Sequence, residues 1–376
     1  MEKIQMVDLK NQYLNIKEEI DNEIQKVLNE SDFINGKKVD EFANNLKNYM
    51  GCEFVVPCAN GTDAIQIALM ALGLKPGDEV IVPAFTYVAT AEVVGLLGLI
   101  PVMVDVDIDS FCVTASNIEK AITEKSKAIV PVHLFGQCCD MEPIMKIANK
   151  HGLYVVEDNA QALGAKYKFS DGRIMRAGTI GDIGCTSFFP SKNLGCYGDG
   201  GAVFSNNPEL ATKMKMIANH GQRIKYHHDI IGCNSRLDTI QAAILDVKLK
   251  RLDEYEQHRY NVASYYTNGL IGLNEYLVTP KEMEYSTHVY HQYTLIINKN
   301  KRDDLKLFLD KNDIPSMVYY PLSLDQQNAF KSISQKRTDL SISRKLSESV
   351  LSLPIHTELN TLHLNFIIEK IFEFYK

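Results

Sequence analysis

A chain of 376 residues, 45% hydrophobic and 23% charged, can bury a sizeable core and is too long for one typical domain, so two domains are expected. Its formal net charge of −7 argues against a general affinity for nucleic acid or anionic membrane and leaves an anionic ligand dependent on a local site. The eight cysteines form no CxxC pair and no metal-like spacing, the opening MEKIQMVDLK lacks the apolar core of a signal peptide, and the apolar run 93–104 is broken by Gly95, Gly98 and Pro101. These features predict a reduced cytoplasmic protein with no metal and no membrane span.

Apolar residues recur at helical spacing over 16–28 and again over 39–49, after a turn at Asn35-Gly36, which predicts two helices ahead of the main domain. A β-branched strand at 53–57 then delivers Asn60-Gly61-Thr62-Asp63 onto a helix over 64–72. Such a turn suits an anion, because first-turn N–H groups lack intrahelical partners, and it equally suits a plain N-cap by Thr62 or Asn60. Strand and helix patterns alternate from there: strands at 79–82, 102–106, 128–132 and 153–157, helices at 88–97, 118–122 and 141–150. This alternation predicts an α/β fold, a mainly parallel sheet covered on both faces, with ligands gathering at the carboxyl ends of the strands. Thr62, Phe85, Tyr87, His133 and Asp158 all follow strand ends.

Past a helix at 208–219, the His-rich stretch 220–229 reads as a solvated loop, since His227-His228 has no acidic or cysteine ligand at a convincing spacing. A single long helix is expected over 238–263, leading into a second domain of strands and helices. The domain division is placed at 1–250 and 251–376.

The stretch 181–203, GDIGCTSFFPSKNLGCYGDGGAV, sets one lysine, Lys192, between Phe188-Phe189 and a glycine-rich run. Glycine permits close backbone approach, so this composition suits a flat buried object. Its lysine is either solvated on a loop, paired with an acid, or desolvated and nucleophilic. Cys196 nearby reads as small-hydrophobe packing. An amine at 192, a strand-end acid at 158, a phosphate-type turn at 61–63 and an aromatic at 85–87 together match what pyridoxal phosphate requires.

With these residues in hand, the chain resembles the DegT/DnrJ/EryC1/StrS family of nucleotide-sugar aminotransferases, a fold-type I group. The motifs that carry the likeness are NGTDAIQIAL (60–69), PAFTYVATAEVV (83–94), VHLFGQ (132–137), VVEDNAQALGA (155–165), SFFPSKNLGCYGDGGAVF (187–204), GCNSRLDTIQAAIL (232–245) and LPIH (353–356). The resemblance implies a large cofactor domain with a mixed, mainly parallel sheet, plus a smaller C-terminal α+β domain.

It also implies roles. Lys192 would bond covalently to pyridoxal phosphate and then move protons, and Asp158 would hold the pyridine nitrogen protonated. Gln161 would lie by the 3-hydroxyl side and Tyr87 would stack on the ring. Thr62 and Asp63, through backbone N–H groups, and Ser187, through its hydroxyl, would hold the phosphate. Asn234 would reach the same phosphate across a homodimer interface, making the sites shared, with Arg236 near the nucleotide-sugar. Tyr319 and Tyr320 fall in the substrate-binding segment; Tyr319 departs from the histidine usual there in enzymes that aminate a UDP-linked 2-acetamido-3-keto-glucuronate, the group this chain most resembles.

The activity so implied is amine transfer from L-glutamate to C3 of a UDP- or dTDP-linked keto-sugar in surface polysaccharide synthesis. Transfer at C4 of a 4-keto-6-deoxy sugar, and a non-catalytic cofactor-binding sensor, are the alternatives.

Overall fold

The computed structural model describes residues 3–298 and 300–376. Helices α1 (Leu9–Asn15), α2 (Lys17–Glu30) and α3 (Lys37–Met50) come first, followed by β1 (Phe54–Cys58) and α4 (Gly61–Ala71). The alternating stretch then supplies β2 (Glu79–Pro83), α5 (Ala89–Leu96), β3 (Ile100–Val104), α6 (Ala115–Ala121), β4 (Ser126–Ile129), α7 (Met141–His151) and β5 (Tyr154–Asp158). A hairpin of β6 (Lys166–Lys168) and β7 (Ile174–Arg176) precedes β8 (Ile183–Ser187), β9 (Gly201–Ser205) and α8 (Pro208–Ala218).

All of these strands but the β6–β7 hairpin, with a short late strand, form one eight-stranded sheet in the order β1-β9-β8-β5-β4-β2-β3-β14, where β14 is Gln335–Lys336. Only β9 runs antiparallel to its neighbours; the pairs from β8 through β14 are parallel. The central strands are runs of β-branched residues because both faces are covered. Ile81, Val102, Val104, Ile129 and Val155 pack into the core on one side, and Val80, Val82, Met103, Ala128 and Val156 into the core on the other. The carboxyl ends of β2, β4, β5 and β8 therefore open along one edge of the sheet.

The chain continues through a small hairpin, β10 (Gln222–Ile224) and β11 (His227–His228), then α9 (Thr239–Leu249) and α10 (Leu252–Gly269). Two expectations are corrected here. The 227–228 pair belongs to an exposed antiparallel hairpin, not an unstructured loop. The single helix expected over 238–263 is two helices. Arg251 leaves helical geometry (φ −110°, ψ 2°), and the acidic pair Asp253 and Glu254 occupies the first turn of α10. The break lets each half serve its own core: Ala242, Leu245 and Leu249 pack with Phe42, Phe188 and Phe204, while Val262, Ala263 and Tyr266 pack with Tyr293, Leu351 and Ile367. Apolar periodicity runs through both helices, so it gave no sign of the joint.

A second, three-stranded antiparallel sheet holds β12 (Leu277–Val278), β13 (Tyr293–Ile297) and β15 (Val350–Leu353). Helices α10, α11 (Arg302–Lys311) and α13 (Thr361–Tyr375) contribute to the core beside it. The chain crosses between the two sheets more than once. Ile4 packs in the second core, β14 pairs with β3, and α12 (Ser341–Ser349) is anchored to the first sheet by Asp105, whose carboxylate accepts from Ile342 N at 2.9 Å and Ser343 N at 2.8 Å. Arg337 adds a two-pronged contact to Glu79, at 2.6 and 2.7 Å.

Candidate active site

A cavity of about 720 Å³ opens at the carboxyl ends of β2, β5 and β8. Its wall includes Thr62, Asp63, Tyr87, Asp158, Gln161, Ser187, Lys192, Tyr319 and Tyr320. Residues from 62 to 192 converge because parallel strands bring the loops after their carboxyl ends to one edge, and Tyr319 and Tyr320 join them from the later part of the chain.

Lys192 follows β8 on a turn closed by its own N–H to Phe189 O, at 2.9 Å. Its side chain forms no hydrogen bond or ion pair among the described residues. Desolvation pulls the amine down to about 8, with the Asp158 charge opposing that shift. An amine of this kind is neutral and nucleophilic in about one molecule in ten at pH 7, far more than an ordinary lysine. The two phenylalanines before it part ways: Phe188 is fully buried edge-on to Phe42 at 5.5 Å, while Phe189 is exposed on the cavity wall. Cys196 is buried and donates to Phe188 O at 3.0 Å, a packing role.

Asp158 ends β5, and its carboxylate is fixed from two sides. Oδ2 accepts from Thr90 Oγ1 at 2.8 Å and Oδ1 from Ala160 N at 3.2 Å. Gln161 is also held at both ends, its Oε1 accepting from Phe135 N at 2.9 Å and its Nε2 donating to Tyr320 Oη at 3.0 Å. The Tyr320 ring lies 6.1 Å from that of Tyr87, at 44°. Phe135 holds positive φ (59°), a strained conformation at the point where the backbone grips Gln161.

The N-terminus of α4 faces Ser187. Asn60 caps the helix by accepting from Asp63 N at 2.8 Å, so the Asp63 N–H expected in an anion cradle is already used. The N–H groups of Gly61 and Thr62 are the ones left without an acceptor among the described residues. A Cβ on Gly61 would lie 2.6 Å from Ser187 Cβ, and one on Gly201 would lie 2.5 Å from Asn60 O; the glycines let the cradle close.

Asn234 and Arg236 do not line the cavity of their own chain. Asn234 is exposed and bridges to Asn219, and Arg236 is half-buried beside it. Among the polar wall residues, Thr86, Asp199, His291 and Gln292 had no role assigned from the sequence, nor had Thr90, which stands behind the wall and acts through Asp158. Thr90 lay inside a quoted motif, one helical turn past Tyr87. His291 and Gln292 come from the other sheet and carry no local pattern that points to the cavity.

Behind the wall, His133, Cys138 and Glu157 bring ligand-type atoms within 4.8 Å of one another. Hydrogen bonding already accounts for this cluster. Glu157 accepts from Gly178 N, Ile180 N and Gly181 N, and from His133 Nε2 at 2.8 Å. His133 Nδ1 accepts from Cys139 N, at 3.1 Å. A histidine whose Nδ1 accepts carries its proton on Nε2 and has no lone pair there for a metal. The cluster pins the loops beneath Asp158, and His133 N donates to Asp158 O at 3.0 Å.

The profile of the DegT/DnrJ/EryC1/StrS aminotransferase family matches residues 14–372. The chain is 45% identical over 374 residues to a protein of Geobacillus stearothermophilus named pleiotropic regulatory protein, covering 99% of each. It is also 45% identical over 366 residues to the UDP-2-acetamido-2-deoxy-3-oxo-D-glucuronate aminotransferase of Pseudomonas aeruginosa, covering 97% of this chain and 98% of the relative. Among solved structures, NtdA of Bacillus subtilis with bound cofactor PMP superposes with a TM-score of 0.89 at 32% identity, over 100% of this chain and 85% of that one.

Proposed function

The chain belongs to the DegT/DnrJ/EryC1/StrS aminotransferase family, and from that premise we propose that it uses pyridoxal phosphate to transfer an amino group from L-glutamate to C3 of a nucleotide-linked keto-sugar. The observation that carries this reading is the single cavity shared by a desolvated amine, Lys192, and a doubly anchored carboxylate, Asp158.

The cavity fits the cofactor on its own chemistry. The cradle between Gly61, Thr62 and Ser187 offers unpaired N–H groups at a helix N-terminus for a phosphate, and Tyr87 and Phe189 offer ring faces. When bound, pyridoxal phosphate supplies an electron-accepting ring that makes the proton on the amine-bearing carbon removable. Asp158 holds the proton on the ring nitrogen, kept in place by Thr90 and Ala160 N. Lys192 Nζ, its proton loosened by desolvation, is the amine that would hold the cofactor covalently. The same Nζ would carry the proton to and from the amine-bearing carbon. Gln161, locked between Phe135 N and Tyr320 Oη, would be held in place beside the 3-hydroxyl side of the ring.

The substrate is a 3-keto sugar on UDP or dTDP, in a pathway for surface polysaccharide such as O-antigen, in the cytoplasm where nucleotide sugars are made. The 3-oxo sugar named for the Pseudomonas relative and the run Asn193 to Gly201 support C3. The working unit is a homodimer in which Asn234 and Arg236 of each chain complete the neighbouring site, a role suited to their exposure away from their own cavity. The proposed division into 1–250 and 251–376 falls at the joint between α9 and α10, with Ile4 crossing to the second core and β14 and α12 returning to the first sheet.

The test is the reverse half-reaction. The cofactor-loaded protein is mixed with a panel of UDP- and dTDP-amino-sugars, and loss of its visible absorption band is followed. Response to 3-amino sugars is expected; a response confined to 4-amino sugars removes the C3 assignment. The name of the Geobacillus relative favours one second reading, a cofactor-binding regulator without turnover. Conversion of glutamate to 2-oxoglutarate separates the two.

A further inference from the structure

His291 and Gln292 enter the cavity wall from the turn before β13, on a segment tied firmly to the residues around Lys192. Asn193 Nδ2 donates to Val289 O at 2.9 Å, Val289 N donates to Gly136 O at 2.8 Å, and Gln292 N donates to Phe135 O at 3.2 Å. Tyr290 holds positive φ (45°) between them. Both side chains are more than nine-tenths buried, at 6% and 8% exposure.

Gln292 presents its amide nitrogen to His291 Nε2 at 3.4 Å. An amide nitrogen only donates, so Nε2 accepts and the imidazole proton resides on Nδ1. That Nδ1 is buried and has no partner among the described residues. Burial, with Lys192 and Arg259 close by, holds His291 well below the usual histidine range, so it stays a neutral N–H donor.

One layer behind stands Arg259, 3% exposed, whose guanidinium donates only to carbonyls: Tyr290 O and Ile355 O at 3.1 Å and His291 O at 3.5 Å. It forms no ion pair among the described residues. Its nearest acid, Glu256, is pushed up to about 8 by burial and stays largely protonated at neutral pH. The wall at His291 therefore combines an unpartnered donor with an uncompensated buried cation, while no arginine lines the cavity itself among the described residues.

We infer that His291 and Gln292, backed by Arg259, form a carboxylate-binding subsite of the cavity. With the imidazole turned toward the cavity, a carboxylate oxygen would accept from His291 Nδ1 and sit in the positive field of Arg259, the pairing an acceptor-only anion makes with such a wall. The subsite rests on the transaminase reading for its use. It serves the carboxylate of the amino-acid donor or that of a uronate sugar, and the two are separable by experiment.

Binding of three probes to the cofactor-loaded protein is measured by calorimetry in phosphate-free buffer: glutarate, UDP-glucuronate and UDP-glucose. His291→Ala is expected to weaken a carboxylate probe by about ten- to a hundredfold, as loss of one charge-assisted hydrogen bond does, with UDP-glucose unchanged. His291→Asn, which keeps a donor near Nδ1, is expected to recover most of that loss. Loss confined to glutarate assigns the subsite to the amino donor; loss confined to UDP-glucuronate assigns it to the sugar acid. Unchanged binding of both, no binding of either by the wild type, or an equal loss that includes UDP-glucose overturns the subsite. Turnover of glutamate by the wild type is scored separately. A protein that binds glutarate through His291 yet transfers no amine sinks the transaminase reading and leaves the subsite standing.

Discussion

At the scale of single residues, the site depends on two charges set by their surroundings. Lys192 is held at about 8 because burial costs its ammonium form more than Asp158 returns. Below that value the neutral fraction falls about tenfold per pH unit. Cofactor capture by the cofactor-free protein, read as growth of the visible band, is therefore expected to slow steeply from pH 8 to pH 6 and to level off above 8.5. A flat profile would contradict a titrating amine as the nucleophile. Lys192→Ala is expected to show no band at any pH. Thr90 is a positioning residue for Asp158, since its hydroxyl is the stronger of the two hydrogen bonds to that carboxylate. Thr90→Val is expected to lower turnover about five- to tenfold, the worth of one net hydrogen bond, with the fold intact by circular dichroism. Asp158→Asn, which removes the charge itself, is expected to cost at least about a hundredfold.

At the scale of elements, backbone contacts no side chain could replace set the shape of the cavity. Helix α4 approaches β8 closely enough that a methyl group on Gly61 would collide with the Ser187 side chain and approach its Cα at 3.3 Å. Gly61→Ala is expected to push the helix N-terminus off Ser187, costing about 1–3 kcal/mol of stability by overpacking and weakening cofactor retention in dialysis. Beneath Asp158, Glu157 joins β5 to the turn before β8 and to His133 after β4. An amide at this position offers one acceptor oxygen and turns an N–H₂ toward groups that donate. Glu157→Gln is therefore expected to destabilise by about 3–5 kcal/mol, visible as a lower thermal midpoint. Addition of zinc is expected to leave the wild-type midpoint unchanged, since His133 Nε2 is already committed to Glu157.

At the scale of the whole molecule, the cavity draws on both sheets of one chain, and the proposed dimer adds Asn234 from a second. If the sites are shared in that way, Lys192→Ala and Asn234→Ala proteins, each inactive alone, are expected to regain about one quarter of wild-type activity when unfolded together and refolded as a mixture. Half the dimers would be mixed, with one intact site each. No recovery, with mixed dimers confirmed by mass, would place Asn234 outside the partner's site.

Much of this architecture was open to inspection in the chain. The runs Val80-Ile81-Val82, Val102-Met103-Val104 and Val155-Val156, separated by helical patterns, are what a sheet buried on both faces requires, and that requirement is local. Lys192, Asp158, Thr62 and Tyr87 were legible because each follows a strand, and parallel strands carry their ends to one edge. Three things were hidden. The break at Arg251 lies inside an unbroken apolar rhythm and exists only because α9 and α10 serve different cores. Which of the two readings of the 60–63 turn holds was not legible: Asn60 does cap the helix and takes the Asp63 N–H, while Gly61 and Thr62 keep theirs free among the described residues. His291, Gln292 and Arg259 gain meaning only through distance in space. The sequence by itself determined the alternating elements, the parallel sheet and the strand-end residues, since these follow from local periodicity and topology. Tertiary structure alone decided which amine is desolvated, which carboxylate is anchored and which histidine beside the cavity has an unpartnered ring nitrogen, because each depends on neighbours far away along the chain.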